Sequence, residues 1–286
     1  MSLAQTWTVL KILQWTADFF RDKGIEGGRR DAELLLGACL GLDRVGLYLH
    51  FDRPLEASEL AAFRALLVRR ARREPLQYIL GETEFWSLPL AVSPAVLIPR
   101  QDTEVLIEEA LRVATGGRVL DVGTGSGAIA IALASEWRDA RVVALDICPR
   151  ALQVAAGNAR RNGVEAHIRF VEADLALLPE GPFDLIVSNP PYIPRADLDG
   201  LMPEVRDFEP RRALDGGDDG LDPYRILAAQ AAGRLAPGGW LLVEVGIGQA
   251  CHVQKLFEAA GLQESFCRAD YGGVPRVVGS RRATGG

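Results

Sequence analysis

One stretch, RVLDVGTGSGAIAIAL at residues 118–133, restricts the fold more than any other. An apolar run suited to a strand leads straight into three glycines spaced GxGxG, then into an alanine- and isoleucine-rich helical stretch. Gly123, Gly125 and Gly127 permit a tight turn and let a ligand approach the main chain, while the helix behind them offers free N–H groups at its start. Thr124 and Ser126 complete the turn. The spacing is not the GxGxxG of dinucleotide-binding folds, which counts against a nicotinamide oxidoreductase.

The same rhythm recurs downstream. RVVALDI, HIRFVEA, FDLIV and WLLVEV read as near-continuous apolar strands, and helical stretches such as RALQVAAGNARRNG and DPYRILAAQAAGRL lie between most of them. Strands apolar on both faces that alternate with helices predict an α/β fold, a mostly parallel, doubly wound, Rossmann-like sheet over residues 99–286. DTEVLIEEALRV, with Asp102 as helix N-cap, opens this domain, and VPRVVGSRR is expected to add an antiparallel strand at the sheet edge.

The preceding residues differ in kind. TVLKILQWTADFF sets Val9, Ile12, Leu13 and Phe20 on one helical face with Gly24 as a stop, and SELAAFRALLVRR sets Leu60, Phe63, Leu66 and Leu67 on another with Ser58 as N-cap. A small helical bundle over residues 1–81 is expected, joined by a β-hairpin linker at 82–98, where ETEFWSLPLAVSPAVLI turns aromatic and proline-punctuated. Arg69, Arg70, Arg72 and Arg73 cluster near the end of the bundle. A solvated helix end is the first reading of that cluster and a partner or RNA contact the second.

Charge and cysteine usage exclude several function classes. The net charge of -6 argues against a non-specific polyanion binder, so no stable nucleic-acid binding is expected. Twelve basic and twelve acidic side chains fall in residues 1–90, which leaves the whole excess of acid in the α/β part. The four cysteines are scattered, with no CxxC pair and no histidine at ligand spacing; free buried thiols and no metal site are expected. No uninterrupted run of eighteen or more apolar residues occurs, and the N-terminus lacks a basic-then-apolar leader, so the expected location is cytoplasmic with no membrane contact.

Four strand ends carry the chemistry. Asp146 ends the second strand nineteen residues after Gly127, where a carboxylate accepts both hydroxyls of a ribose. Its bland alternative is a cap for the next helix. Asp174 and Leu175 end the third strand, as acceptor for an exocyclic amine and apolar flank for its ring, or as plain turn formers. The fourth strand ends in Asn189, Pro190, Pro191 and Tyr192. Both prolines fix φ and carry no N–H, so neighbouring carbonyls point outward in a set direction, and Asn189 adds a side-chain acceptor. Together they suit the NH2 of a planar amide or arylamine, with Tyr192 stacked on it. The charged segment from Ile193 to Asp222 is expected to be a lid that orders on substrate binding, or else a mobile insertion.

DVGTGSG, ALD and SNPPY, in this order, resemble the class I S-adenosylmethionine-dependent amino-methyltransferases. LQYILGETEFWSLPLAVSPAVLIPRQDTE, EVRDFEPRRAL and the helical N-terminal region narrow the likeness to the HemK/PrmC family of release factor glutamine N5-methyltransferases. The resemblance implies S-adenosylmethionine as donor, S-adenosylhomocysteine as product, no metal, and the glutamine of the Gly-Gly-Gln motif in class-1 peptide chain release factors as acceptor. It implies that Gly123 to Gly127 hold the methionine part of the donor, Asp146 its ribose, and Asp174 with Leu175 its adenine. Asn189 to Tyr192 would then hold the glutamine, with Asn189 also bordering the donor, and the N-terminal bundle would grip the release factor. Leu175 stands where the family often has an aromatic, and Gln101 where it usually has proline. Rival readings are a glutamine methyltransferase of a ribosomal protein, an N6-adenine nucleic-acid methyltransferase and a nucleotide-binding module without chemistry.

Overall fold

The computed structural model describes residues 6–284. It divides into two compact units, one formed by the chain up to Gly81 together with Pro203–Phe208, the other by Glu82–Met202 with the chain from Glu209 onward. Among the described residues no helix is long and apolar enough to cross a membrane.

The first unit is helical: α1 (Val9–Asp22), α2 (Gly28–Leu40), α3 (Arg44–Leu49), α4 (Ala57–Ala71) and α5 (Leu76–Leu80). Helical spacing puts Val9, Leu13 and Phe20 of α1 into one core with Leu35, Leu36 and Phe63, all essentially without exposure. Each such side chain stabilises by about 1.5–3 kcal/mol relative to exposure. Gly24, at φ +67, follows the end of α1. Helix α4 begins one residue before Ser58: the N–H of Glu56 donates to Glu59 Oε2 at 2.9 Å, so an acidic pair closes the helix start in place of the serine.

The arginine cluster is not a solvated helix end. Arg70 is buried, donating to Asp31 at 2.7 Å and to Glu204 at 2.9 Å, while Arg73 reaches Glu204 at 2.8 Å and the Gly24 carbonyl at 2.6 Å. Arg69 pairs with Glu74, and of the four only Arg72 is exposed. The acids that neutralise Arg70 and Arg73 come from residues distant in sequence, so a local charge run could not announce them.

The second unit begins with a hairpin, β1 (Glu82–Phe85) and β2 (Leu88–Ala91). Its turn residues Trp86 and Ser87 both take positive φ, as a two-residue hairpin turn of matching twist demands. A 3-10 turn at Gln101–Thr103 precedes α6 (Glu104–Val113), so Asp102 is not the helix cap; its carboxylate meets Arg276 at 3.2 Å instead. Then follow β3 (Arg118–Val122), α7 (Ala128–Glu136), β4 (Arg141–Asp146), α8 (Pro149–Arg161), β5 (Ile168–Glu172) and β6 (Phe183–Ser188). The short α9 (Pro203–Arg206) belongs to the first unit. Last come α10 (Asp222–Arg234), β7 (Leu235–Glu244), α11 (Ala250–Ala259), β8 (Gln263–Ala269) and β9 (Pro275–Arg281).

The seven strands lie in the order β5-β4-β3-β6-β7-β9-β8. All neighbours through β7 are parallel, whereas β9 runs antiparallel to both β7 and β8. The strand expected at the edge from VPRVVGSRR is thus interior. The edge is β8, whose side chains are half-buried or exposed, so QESFCRA carries no apolar run to reveal it. Cys148 is buried, Cys39 half-buried, and Cys251 and Cys267 exposed, so the expectation of buried thiols holds for only part of the set.

The chain winds from β3 outward through β4 to β5, then returns to β6 on the other side of β3. This reversal is the switch point at which open α/β sheets bind ligands beyond their strand ends.

Candidate functional site

Register brings the strand ends together. Val122 pairs with Ser188 and with Leu145, so the glycine turn after β3 lies beside Asn189 on one flank and Asp146 on the other. Both strand tips are tied down: Ser188 Oγ donates to the Val122 carbonyl at 2.8 Å, and the N–H groups of Gly123 and Thr124 each donate to the Leu145 carbonyl at 2.9 Å. Beyond these tips lies a cleft of about 840 Å³, lined among others by Gly123, Gly125, Asp146, Asp174, Asn189 and Pro190. Pro191 and Leu175 line it too. That figure includes open solvent at the mouth, so it is the lining residues that characterise the cleft.

The residues of the glycine turn play different parts. Gly125 takes φ +56, and a Cβ there would meet nothing nearer than the Gly123 carbonyl at 4.0 Å, so its bare face is open to the cleft. Gly127 serves packing instead: a Cβ would sit 3.0 Å from Ile131 and 3.1 Å from Ala155, and its absence lets α7 approach α8. Thr124 and Ser126 are buried and, like Gly127, belong to the turn's own scaffold. The Thr124 hydroxyl donates to Asp121 Oδ2 at 2.6 Å, and the Ser126 carbonyl accepts from Asn158 Nδ2 at 2.9 Å. Asn158 also exchanges two hydrogen bonds with the Ala91 backbone, which locks the hairpin to the turn.

Asp146 is held by the main chain on both oxygens. Oδ2 accepts from Gly125 N–H at 2.9 Å and Oδ1 from Cys148 N–H at 2.8 Å, so one carboxylate ties the glycine turn to the residue that precedes α8. Each oxygen keeps a second lone pair. Beneath the turn, Asp121 is fully buried; burial, opposed by its bonds from Thr124 and Ala130, pushes its carboxyl up to about 7. Its Oδ1 has no partner among the described residues.

At the end of β6, no backbone hydrogen bond reaches the carbonyls of Asn189, Pro190 or Pro191 among the described residues. The Tyr192 carbonyl, by contrast, accepts from Gln249 Nε2 at 2.9 Å. Asn189 Nδ2 donates to Thr103 Oγ1 at 3.2 Å, which leaves its Oδ1 as a free acceptor. Tyr192 is not among the lining residues; its hydroxyl is directed to Glu244 at 3.4 Å. Burial, then Glu244, pushes the Tyr192 phenol up to about 12.

Three contributors escaped the sequence reading. Ile147, directly after Asp146, lines the cleft while 53% exposed, an apolar surface that adds to the wall Leu175 provides. Thr103 and Glu244 stand behind Asn189 and Tyr192. A lone glutamate inside WLLVEV was the available signal, since a charge is almost never fully buried within an apolar strand unless it is paired. The Ile193–Asp222 segment is tied to the site's own frame: Ile193 and Asp215 form a β-bridge, Gly216 N–H donates to the Ile193 carbonyl at 2.9 Å, and Pro210, Arg212 and Ala213 line the cleft. Among the described residues no group of three or more His, Cys, Asp or Glu side chains could hold a metal ion.

A sheet of this order, with a glycine turn and acidic strand ends gathered at the switch point, has the class I methyltransferase fold. The 16S rRNA N2 G1207 methyltransferase of Thermus thermophilus, solved with AdoMet and guanosine, shares it with a TM-score of 0.52 at 20% identity, over 70% of this chain and 49% of that one. The PrmC N-terminal domain family matches residues 11–81 and the methyltransferase small domain family residues 100–201. A release factor glutamine methyltransferase of Geobacter sulfurreducens is 54% identical over 97% of this chain and 98% of its own. One of Rhodospirillum rubrum is 49% identical over 92% of this chain and 82% of its own. The chain belongs to the release factor glutamine methyltransferase family.

Proposed function

We propose that this protein transfers a methyl group from S-adenosylmethionine to the side-chain amide nitrogen of the glutamine in the Gly-Gly-Gln motif of class-1 peptide chain release factors. The observation that carries the reading is the set of open acceptors at Asn189, Pro190 and Pro191 on the rim of a cleft whose other wall is Gly125 and Asp146. Near-full-length relatives of that activity support it.

The residues present fit the donor. The space left by a missing Cβ at Gly125 would receive its methionine part, the spare lone pairs of Asp146 would accept from two ribose hydroxyls, and Ile147, Asp174 and Leu175 would border the adenine. When bound, the donor supplies an electrophilic methyl on a positively charged sulfur. What the chain supplies is acceptor orientation. An amide nitrogen is a weak nucleophile whose lone pair is delocalised, and it gains positive charge as it attacks. Fixed acceptors aimed at its two hydrogens stabilise that charge more than the ground state, which is the condition for acceleration. Alignment against the donor supplies the remainder. Because the acceptors are an amide oxygen and main-chain carbonyls, no strong base is required before attack; as the methyl's bond to sulfur breaks and its bond to nitrogen forms, the methylated nitrogen becomes acidic and gives its extra proton to water. No metal enters this reading. The N-terminal unit is assigned to release factor recognition and the site of action to the cytoplasm; the hairpin, expected as a linker, groups with the second unit.

Incubation of the protein with labelled donor and purified release factor, followed by peptide mapping by mass spectrometry, is expected to locate one methyl on the motif glutamine. Label on another residue, on nucleic acid or nowhere overturns the reading.

A further inference from the structure

Behind the Asn-Pro-Pro-Tyr segment lies a buried carboxylate that the mechanism above does not use. Glu244, at the end of β7, is 1% exposed and does not line the cleft. Its two oxygens take different partners. Oε2 accepts from the Thr103 hydroxyl at 2.5 Å, and Oε1 accepts from the Tyr192 hydroxyl at 3.4 Å. Thr103 in turn accepts from Asn189 Nδ2 at 3.2 Å. The backbone carbonyl of Glu244 receives the Tyr224 hydroxyl at 2.9 Å, which fixes the strand end itself. One buried side chain thus holds both ends of the four-residue motif, one directly and one through a threonine.

The order of donors in this chain decides which way the Asn189 amide faces. In its ionised form, which the Thr103 hydroxyl and the Arg276 charge favour against burial, Glu244 only accepts, so it takes the single hydroxyl hydrogen of Thr103. That leaves Thr103 Oγ1 with lone pairs alone on the side facing Asn189. The carboxamide group opposite an acceptor must be its NH2, because an oxygen there would meet lone pair with lone pair. The Oδ1 atom is then the end turned away from Thr103. A methyl-accepting amide requires an acceptor at that position; the reversed amide would present a donor and repel the substrate's own NH2.

We propose that Glu244, acting through Thr103, is the positioning residue that holds the Asn189 carboxamide in its acceptor-forward orientation, and that its other oxygen holds Tyr192 at the far end of the motif. The proposal rests on the assignment of Asn189 as a ligand of the acceptor amide. It also gives the IPRQDTE segment a role, because the 3-10 turn at Gln101–Thr103 delivers the threonine to the relay.

Four proteins test it: Thr103→Val, which keeps shape and removes the hydroxyl, Thr103→Ser, which keeps the hydroxyl, Glu244→Gln, and the Thr103→Val/Glu244→Gln double variant. In the protein alone, the nitrogen-15 side-chain resonances of Asn189 are expected to show slow NH2 exchange in the wild type and in Thr103→Ser, and fast exchange in Thr103→Val and Glu244→Gln. With donor and release factor, Thr103→Val and Glu244→Gln are each expected to lose about 10–100-fold in kcat, the scale of a misplaced reacting group. Donor affinity by calorimetry stays within about 2-fold, Thr103→Ser stays near the wild type, and the double variant loses no more than the worse single, as residues of one relay do. Unchanged Asn189 exchange in Thr103→Val, or multiplicative losses in the double variant, overturns the proposal. A wild type that shows the relay in its spectra yet leaves release factor unmethylated refutes the functional reading and not the relay.

Discussion

The helical unit and the cleft region of the α/β unit bury charge in different ways, although elsewhere in the α/β unit the buried Glu109 also pairs with arginine. In the helical unit the buried Glu33 and the half-buried Glu204 have cations close by: Glu33 has Arg29 at 2.8 Å and Arg44 at 3.0 Å, and Glu204 has Arg70 and Arg73. Burial alone would raise both carboxyls, yet hydrogen bonds and the neighbouring guanidinium charges bring them below the usual range. In the α/β unit the buried acids around the cleft are raised. Burial raises Asp121, Glu244 and Glu209, and only partial compensation comes from Thr124 and Ala130, from Thr103 and Arg276, and from Arg100 respectively. Paired charges fasten a structure, whereas under-compensated ones are retained where a site needs acceptors held in low dielectric.

Breaking the helical side of this contrast carries the largest expected effect. Arg70→Ala removes the shared partner of Asp31 and Glu204 and leaves buried acid uncompensated, which costs about 3–5 kcal/mol. Urea unfolding followed by fluorescence is expected to show that loss, with donor affinity of the folded protein unchanged. Asn189→Ala attacks the other side. It is expected to lower kcat by about 10²–10³-fold, the cost of one preorganised stabilising group, with donor affinity within about 3-fold. Equal loss of affinity and turnover would remove the distinction between donor and acceptor walls.

The pH dependence sharpens the comparison further. A carboxyl raised on folding binds its proton more tightly in the native state, so its contribution to stability is present at low pH and is lost as pH rises from the unfolded value near 4 through about 7. For Asp121 that amounts to a few kcal/mol at most. Asp121→Asn is expected to flatten the fall in stability between about pH 4 and pH 7, read from denaturant midpoints. The lowered Glu33 and Glu204 act in reverse: their contribution is present above the usual carboxylate value and disappears as pH drops through their depressed values. The smallest effect is a cap. Asp43 accepts from Gly46 N–H at 2.7 Å at the start of α3, and Asp43→Ala is expected to cost about 1 kcal/mol in thermal unfolding without altering methyl transfer.

Much of the architecture was legible because its determinants are local. A strand apolar on both faces and a GxGxG turn each depend on a few neighbouring residues, and β3, β4, β5 and β6 fall within a residue or two of their expected bounds, whereas the caps read at Ser58 and Asp102 are displaced by Glu56 and by a 3-10 turn. The cleft wall was legible for the same reason at Gly123, Gly125, Asp146, Asp174 and Asn189, each at or just beyond a strand end. Less legible was which residues of one motif line the cleft and which support them. Thr124, Ser126 and Gly127 share the turn with Gly125 yet do not line the cleft: Thr124 and Ser126 are held by Asp121 and Asn158, and Gly127 faces Ile131 and Ala155. Tyr192, expected over the acceptor, is directed to Glu244, a partner fifty-two positions away.

What the sequence by itself determined is therefore the set of elements and the chemical groups at their ends, since these follow from side-chain period and from the dihedral limits of glycine and proline. What only the tertiary structure decided is adjacency. It set β3 beside β6, slid β9 between β7 and β8, closed Arg70 on Glu204 across 134 positions of chain, and brought Thr103 to Glu244 across 141. The physical reason is that a pair formed across such a distance depends on every element between its members being packed, and no local pattern encodes that packing.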